Sequence, residues 1–80
     1  MVTNFHPVQC RMARVALGWG VRDLASAAKV SSDTISRFER GEELRARTVD
    51  DIRRALEDAG VVFIPENGGG AGVRLKEPGA

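Results

Sequence analysis

The side chains best suited to chemistry in this chain are three arginines that lie close together in sequence, Arg40, Arg45 and Arg47. A guanidinium group can donate two parallel hydrogen bonds to a phosphate, so arginines grouped on one loop can bind a polyanion. Glu42 and Glu43 interrupt the group, which leaves a merely solvated charged loop as the alternative. The loop is therefore a candidate phosphate-binding segment.

Cys10 and His6 are a second candidate, because a histidine at this helical spacing can activate a cysteine as a nucleophile. No orienting acid or oxyanion motif accompanies them, which favours Cys10 as a small buried apolar residue. One cysteine and one histidine cannot supply a four-ligand zinc site. The glycine-rich segment 68–72 is not followed by a helix that would present amide groups to a phosphate. We expect no cofactor, no metal and no enzymatic activity.

The size and charge of the chain limit what it can do. Its 80 residues predict one domain, and a domain this small buries only about 60% of its unfolded surface, so oligomerisation is expected. The net charge is +1, so binding to nucleic acid would depend on how the charges are distributed. No apolar run approaches the ~20 residues that span a bilayer, and no signal peptide is recognisable. We expect a soluble, cytoplasmic protein that does not bind membranes.

The region from Val21 to Gly41 has the pattern of two short helices that cross at a tight turn. The first places its apolar and small residues on one face: Val21, Leu24, Ala25 and Ala28. Ser31 is a typical N-cap for the second helix, in which Ile35 and Phe38 resume the apolar pattern. The pattern predicts a helix-turn-helix, with an ordinary helical hairpin as the alternative.

Two further helices flank this unit. A helix over residues 8–17, begun by Pro7 and ended at Gly18, would bury one face and leave an apolar stripe of Val8, Met12 and Val15 to be covered. Trp19 is interpreted as a structural residue, with stacking on a base as the alternative. A helix from Thr48 to Gly60 is predicted to carry pairs of opposite charge on its solvated face, Asp50 with Arg54 and Arg53 with Glu57. Its inward residues would be Val49, Ile52, Leu56 and Ala59.

The stretch LAxxAxVSxxTISxFERG, residues 24–41, resembles the phage repressor and Cro class of helix-turn-helix proteins, the XRE type. The resemblance extends over about residues 9–60. It implies a mainly α fold, a lambda-repressor-like bundle of four or five helices, to which the chain adds a C-terminal β-hairpin. At the turn the family often has glycine where this chain has Lys29, and a left-handed lysine would cost roughly 1 kcal/mol.

The resemblance also implies roles for particular residues in binding double-stranded DNA. The second helix of the motif would meet base edges in the major groove, with Arg37 as donor to a guanine. The implied base contacts are Ser32, Asp33, Thr34 and Arg37. The implied phosphate contacts are Arg22, Ser31, Ser36, Arg40, Arg45 and Arg47. Solvated helix surface is the alternative for these positions. Arg14 and Glu39 match an ion pair that such proteins often carry between the first and third helices.

Residues 61–76 are predicted to form two short strands around a glycine-rich turn. We expect a DNA-binding domain over 7–60, a dimerisation element over 61–76, and flexible ends at 1–6 and 77–80. The expected interface residues are Val61, Phe63, Ile64, Val73 and Leu75, with Val8 and Met12 beneath them. The function expected is a transcriptional regulator, more often a repressor, that binds a palindromic operator as a homodimer. The alternative is an antitoxin or another module that engages a protein partner and regulates its own gene.

Overall fold

A computed structural model describes residues 5–65 and 68–76, which form four helices followed by a two-stranded sheet. The elements are α1 (Pro7–Ala16), α2 (Val21–Ala28), α3 (Ser32–Glu39), α4 (Ala46–Asp58), β1 (Val61–Ile64) and β2 (Gly72–Leu75). The predicted fold class, a mainly helical bundle with a C-terminal hairpin, is confirmed. None of the helices in this part of the chain is long and apolar enough to cross a membrane.

The turn between α2 and α3 has a left-handed residue at the position where the family often has glycine. Lys29 ends α2 in the left-handed conformation, with φ +60° and ψ +43°. Ser31 is the N-cap of α3, and its hydroxyl accepts a hydrogen bond from the Thr34 amide at 3.1 Å. The strain of a left-handed lysine is offset by a hydrogen bond from the N–H of Val30, the next residue, to the Ala25 carbonyl at 3.0 Å.

The core lies where α2, α3 and α4 meet, beneath α1 and the sheet. Its largest fully buried apolar side chains are Leu24, Ile35, Ile52 and Leu56. Burial of each such side chain contributes about 1.5–3 kcal/mol, and together they fix the angle between α2 and α3. Cys10 is also fully buried, as the face of α1 predicts.

The predicted start of α4 is wrong by two residues. The helix begins at Ala46, after Arg45 in the extended N-cap conformation, so Thr48 lies inside the first turn. Ala46 and Arg47 are good helix formers, and an exposed helix end needs no side-chain cap. Asp50 pairs with Arg54 at 3.5 Å as expected. Arg53, however, pairs with Asp50 at 2.6 Å rather than with Glu57.

The hairpin packs against the core of its own chain. The strands are antiparallel with Val61 opposite Leu75 and Phe63 opposite Val73. Val61 is 2% exposed and fills the core, while Phe63 and Val73 pack against it half-buried. Gln9, fully buried, donates to the carbonyl oxygens of Ile64 and Gly72 at 3.2 and 2.9 Å, which attaches the strands to α1.

These contacts determine which residues of the expected dimer interface are still accessible. Val61, Phe63 and Val73 pack within the chain, because they share the face of the sheet that is turned to the core. Leu75, at the end of the same face, remains 47% exposed, and Ile64, on the opposite face, is 41% exposed. Val8, expected beneath the hairpin, is 57% exposed, and with Met12 and the 66% exposed Val15 it lines a shallow groove of about 430 Å³ on α1.

Phe5 was expected in a flexible end, but it is 5% exposed. Its ring stacks on Phe38 with centroids 5.3 Å apart and meets Phe63 edge-on at 4.8 Å. Phe5 therefore anchors the segment before α1 to the core. The expected flexibility of 1–4 and 77–80 lies outside the described residues.

Candidate nucleic-acid interface

The outer face of α3 is the centre of the candidate site. Ile35 and Phe38 turn inward against α2, so the register sends the intervening residues outward. Ser32 and Asp33 are exposed on the first turn, and Thr34, Ser36 and Arg37 are partly exposed. The residues expected to contact bases therefore share an accessible surface at the N-terminal part of one helix.

Two of the hydroxyl groups in this region already have partners within the chain. Ser31 Oγ accepts from the Thr34 amide, and the Ser31 and Thr34 hydroxyls lie 2.8 Å apart. These bonds fix the start of α3. Thr34 keeps its methyl group for apolar contact, while its hydroxyl is committed to the cap in the free protein.

A carboxylate holds the two arginines at the C-terminal end of α3. Arg37 Nε donates to Glu42 Oε1 at 3.0 Å, and Arg40 Nη2 donates to Glu42 Oε2 at 2.9 Å. All three side chains are 43–60% exposed. The hydrogen bonds from Arg40 and Arg37 hold the pKa of the Glu42 carboxyl below its ordinary value, so it is ionised at neutral pH.

The other basic residues of the site are exposed at helix ends. Arg22 lies in the first turn of α2, Arg45 is the N-cap of α4, and Arg47 lies in its first turn. Among the described residues, none of these three arginines forms an ion pair. Cations at a helix N-terminus oppose the helix dipole, and α4 has no acidic residue in its first turn to offset them. The start of α4 is therefore a concentrated positive region.

An ion pair behind α3 fixes its position relative to α1. Arg14 Nε and Nη2 donate to the two oxygens of Glu39, each at 2.9 Å, and the side chains are only 14% and 11% exposed. Arg14 Nη1 also donates to the Trp19 carbonyl at 3.1 Å. These are the two residues at which a bridge between the first and third helices was predicted.

Cys10 donates a third hydrogen bond to the same carboxylate, from Sγ to Glu39 Oε2 at 3.3 Å. Burial raises the pKa of the Cys10 thiol, and the neighbouring Glu39 carboxylate raises it further. The thiol is therefore protonated, and it bonds to Glu39 rather than to His6, which is exposed. The cysteine has the structural role that its helical face predicts.

A family model described as a helix-turn-helix domain matches residues 9–61, which include α1 from Gln9 onward and the whole of α2, α3 and α4. The chain belongs to this helix-turn-helix family, which is of the phage repressor and Cro type. Membership supports a DNA-binding regulator in general terms. Comparison with curated proteins returns no significant match.

Sequence reasoning missed two residues of this helix-turn-helix protein. Gln9 was not singled out, because glutamine on a helix is ordinarily exposed and no local signal indicates that its amide bonds the strands. Glu42 was noted only as an interruption of the arginine group. Its pairing with Arg37 depends on the turn at Gly41, which the spacing of the charged residues alone does not specify.

Proposed function

We propose that this helix-turn-helix protein is a sequence-specific regulator of transcription that binds double-stranded DNA, acting as a repressor by occupying its operator. The observation that carries the proposal is the exposed N-terminal part of α3, with polar side chains directed away from the core and arginines on both sides. An α-helix of this kind fits the major groove of B-DNA.

Base recognition is assigned to the first turns of α3. Arg37 would donate to O6 and N7 of a guanine, and Asp33 would accept from N4 of a cytosine. Thr34 would contact a thymine methyl group. Ser32 would donate a hydrogen bond to a base edge or accept one from it. An aspartate near phosphates is repelled unless it finds its donor, so Asp33 would also reject sites that lack cytosine at its position.

Phosphate binding is assigned to residues that surround α3. The N-terminal turn of α4 supports this assignment, because Arg45 and Arg47 oppose the helix dipole there and a phosphate would relieve that repulsion. Such contacts fix the orientation of the protein on the duplex and carry no sequence information. The proposed set is Arg22, Ser31, Ser36, Arg40, Arg45 and Arg47.

A homodimer on a palindromic operator completes the proposal. One recognition helix discriminates weakly, whereas two placed about 34 Å apart read successive major grooves on one face of the duplex. The apolar side chains left exposed supply a candidate interface, namely Ile64 and Leu75 on the hairpin and the stripe of Val8, Met12 and Val15. Gln9 of α1 bonds the Ile64 carbonyl, so β1 is attached to the helix that carries this stripe. The role of Ile64 and Leu75 in a dimer remains a prediction.

The hairpin also bears on the alternative of an antitoxin-like module. A segment that folds only on its partner would be poorly packed in the free chain. Here Val61 is buried in the core and Gln9 bonds both strands. This packing favours the regulator, and no observation on the described residues favours the antitoxin specifically.

Substitution of two arginines tests the proposed site against a duplex selected from a random library. Arg37→Ala should weaken binding by about 1–3 kcal/mol and relax the preference at one base position. Arg45→Ala should weaken binding to all duplexes alike, and it should reduce the slope of the logarithm of affinity against the logarithm of salt concentration, the salt slope, by about one. Arg54→Ala is the matched control, because Arg54 lies nine residues along α4 from Arg45, ~13 Å along its axis. Equal losses for Arg37→Ala and Arg54→Ala would contradict the assignment.

A further inference from the structure

The backbone holds Glu42 against the last turn of α3. Gly41 has φ +93°, its amide bonds the Phe38 carbonyl at 2.9 Å, and the Glu42 amide bonds the Arg37 carbonyl at 3.0 Å. This is a Schellman motif, in which a left-handed glycine turns the chain back over the helix end. The Glu42 side chain is therefore directed at Arg37 and Arg40 by the fold and not only by charge.

The two oxygens of Glu42 accept hydrogen bonds from both arginines at the C-terminal end of α3. One oxygen accepts from Arg37 and the other from Arg40, at 3.0 and 2.9 Å. Arg37 is the residue proposed above to read a base, and Arg40 is proposed to bind a phosphate. Both guanidinium groups are thus partly engaged by an internal anion before the protein meets DNA.

We propose that Glu42 is a specificity-determining residue, an internal competitor that keeps Arg37 and Arg40 from binding phosphates indiscriminately. The proposal rests on the DNA contacts assigned to these two arginines. An exposed ion pair is weak, so a guanine that takes two hydrogen bonds from Arg37 displaces Glu42 readily. On a duplex without that guanine, Arg37 stays with Glu42 and adds no phosphate contact.

The variant Glu42→Gln tests this competition, with Glu43→Gln as the matched control. Glu43 is exposed and adjacent, and it forms no ion pair among residues 5–65 and 68–76, so both variants remove one negative charge from the same loop. The backbone bonds of residue 42 survive in the glutamine variant, and circular dichroism checks that both variants fold.

Binding to random duplex DNA and to the selected site is measured by fluorescence anisotropy over a series of salt concentrations. For Glu42→Gln we expect random DNA to bind about fivefold to tenfold more tightly, with a salt slope steeper by about one, the effect of one additional phosphate contact. The selected site should gain less, about threefold or under, so the ratio of specific to random affinity falls. Glu43→Gln should gain little on either duplex and leave the ratio unchanged.

A double variant shows whether the gain depends on Arg37. In an Arg37→Ala background, Glu42→Gln should lose most of its gain on random DNA. Equal effects of Glu42→Gln and Glu43→Gln, or weaker binding by Glu42→Gln, would overturn the proposal. If the wild type binds the selected site no better than random DNA, the proposed function fails. The comparison of Glu42→Gln with Glu43→Gln on random DNA then still shows whether Glu42 competes with phosphates for the two arginines. If no variant binds any duplex, both proposals are overturned.

Discussion

Removal of Glu39 is the perturbation whose cost follows most directly from the structure. The carboxylate accepts from two Arg14 nitrogens and from Cys10 Sγ, and in Glu39→Ala all three donors lose their acceptor. Breaking a fully buried ion pair costs about 3–5 kcal/mol. Because the side chains here are 14% and 11% exposed, water can partly solvate Arg14, and we expect a loss of about 2–4 kcal/mol.

Urea denaturation followed by circular dichroism measures this loss. Replacing both partners, in Arg14→Met with Glu39→Leu, should cost less than the sum of the single changes, because neither charge is then left unpaired. The control Glu57→Ala, on the exposed face of α4, should change stability by less than about 0.5 kcal/mol. A loss below ~1 kcal/mol for Glu39→Ala, or additive effects in the double variant, would refute the reasoning.

The pH dependence of stability gives the same prediction an independent check. Burial alone would raise the pKa of Glu39, but hydrogen bonds from Arg14 and Cys10 and the charge of Arg14 outweigh it, so the pKa is lowered from 4.5. The stability that Glu39 contributes is therefore fully present above its unfolded pKa and is lost as pH falls through the lower folded value. The advantage of wild type over Glu39→Gln should shrink in that acid range and stay constant near neutrality.

Three further predictions concern the turn, the hairpin and the dimer. Lys29→Gly should stabilise the protein by about 0.5 kcal/mol, because relief of the left-handed strain exceeds the added entropy of the unfolded chain; an equal gain in Lys29→Ala would argue against strain. Gln9→Leu should lower the free energy of unfolding, measured by urea denaturation, by about 1–3 kcal/mol, since the Ile64 and Gly72 carbonyls lose their donor. An unchanged denaturation midpoint would show that water replaces the amide. Light scattering should find the wild type dimeric at micromolar concentration and the variant with Ile64→Glu and Leu75→Glu monomeric. A monomeric wild type would rule out the proposed dimer.

The helix-turn-helix could be predicted from the sequence because its signals are local. The apolar period of α2 and α3 and the cap at Ser31 depend on residues within one turn of one another, and the strain at Lys29 follows from its place between the helices. The start of α4 could not be predicted in this way. Arg45 carries no capping signal, and Thr48 resembles a cap although it lies inside the helix.

Features that depend on distant contacts were the ones missed. Two strands were predicted at 61–76, but the residues of β1 are all apolar, so their pattern does not reveal which face meets the core, and Val61 proved to be internal. Gln9 is buried beneath two strands whose carbonyls, more than fifty residues away in sequence, accept hydrogen bonds from its amide. The pairing of Glu42 with Arg37 requires the turn at Gly41, which the spacing of charges does not contain.

Selection of duplexes from a random library, followed by titration of the selected site and a scrambled duplex at physiological salt, tests the central claim most directly. A sequence-specific regulator should bind its selected site about a thousandfold or more tightly than the scrambled duplex. The selected site should contain two inverted half-sites about one helical turn apart, each with a guanine. When this guanine is replaced, the wild type and Arg37→Ala should bind the site with equal affinity. Equal affinity of the wild type for the selected and scrambled duplexes would contradict the account.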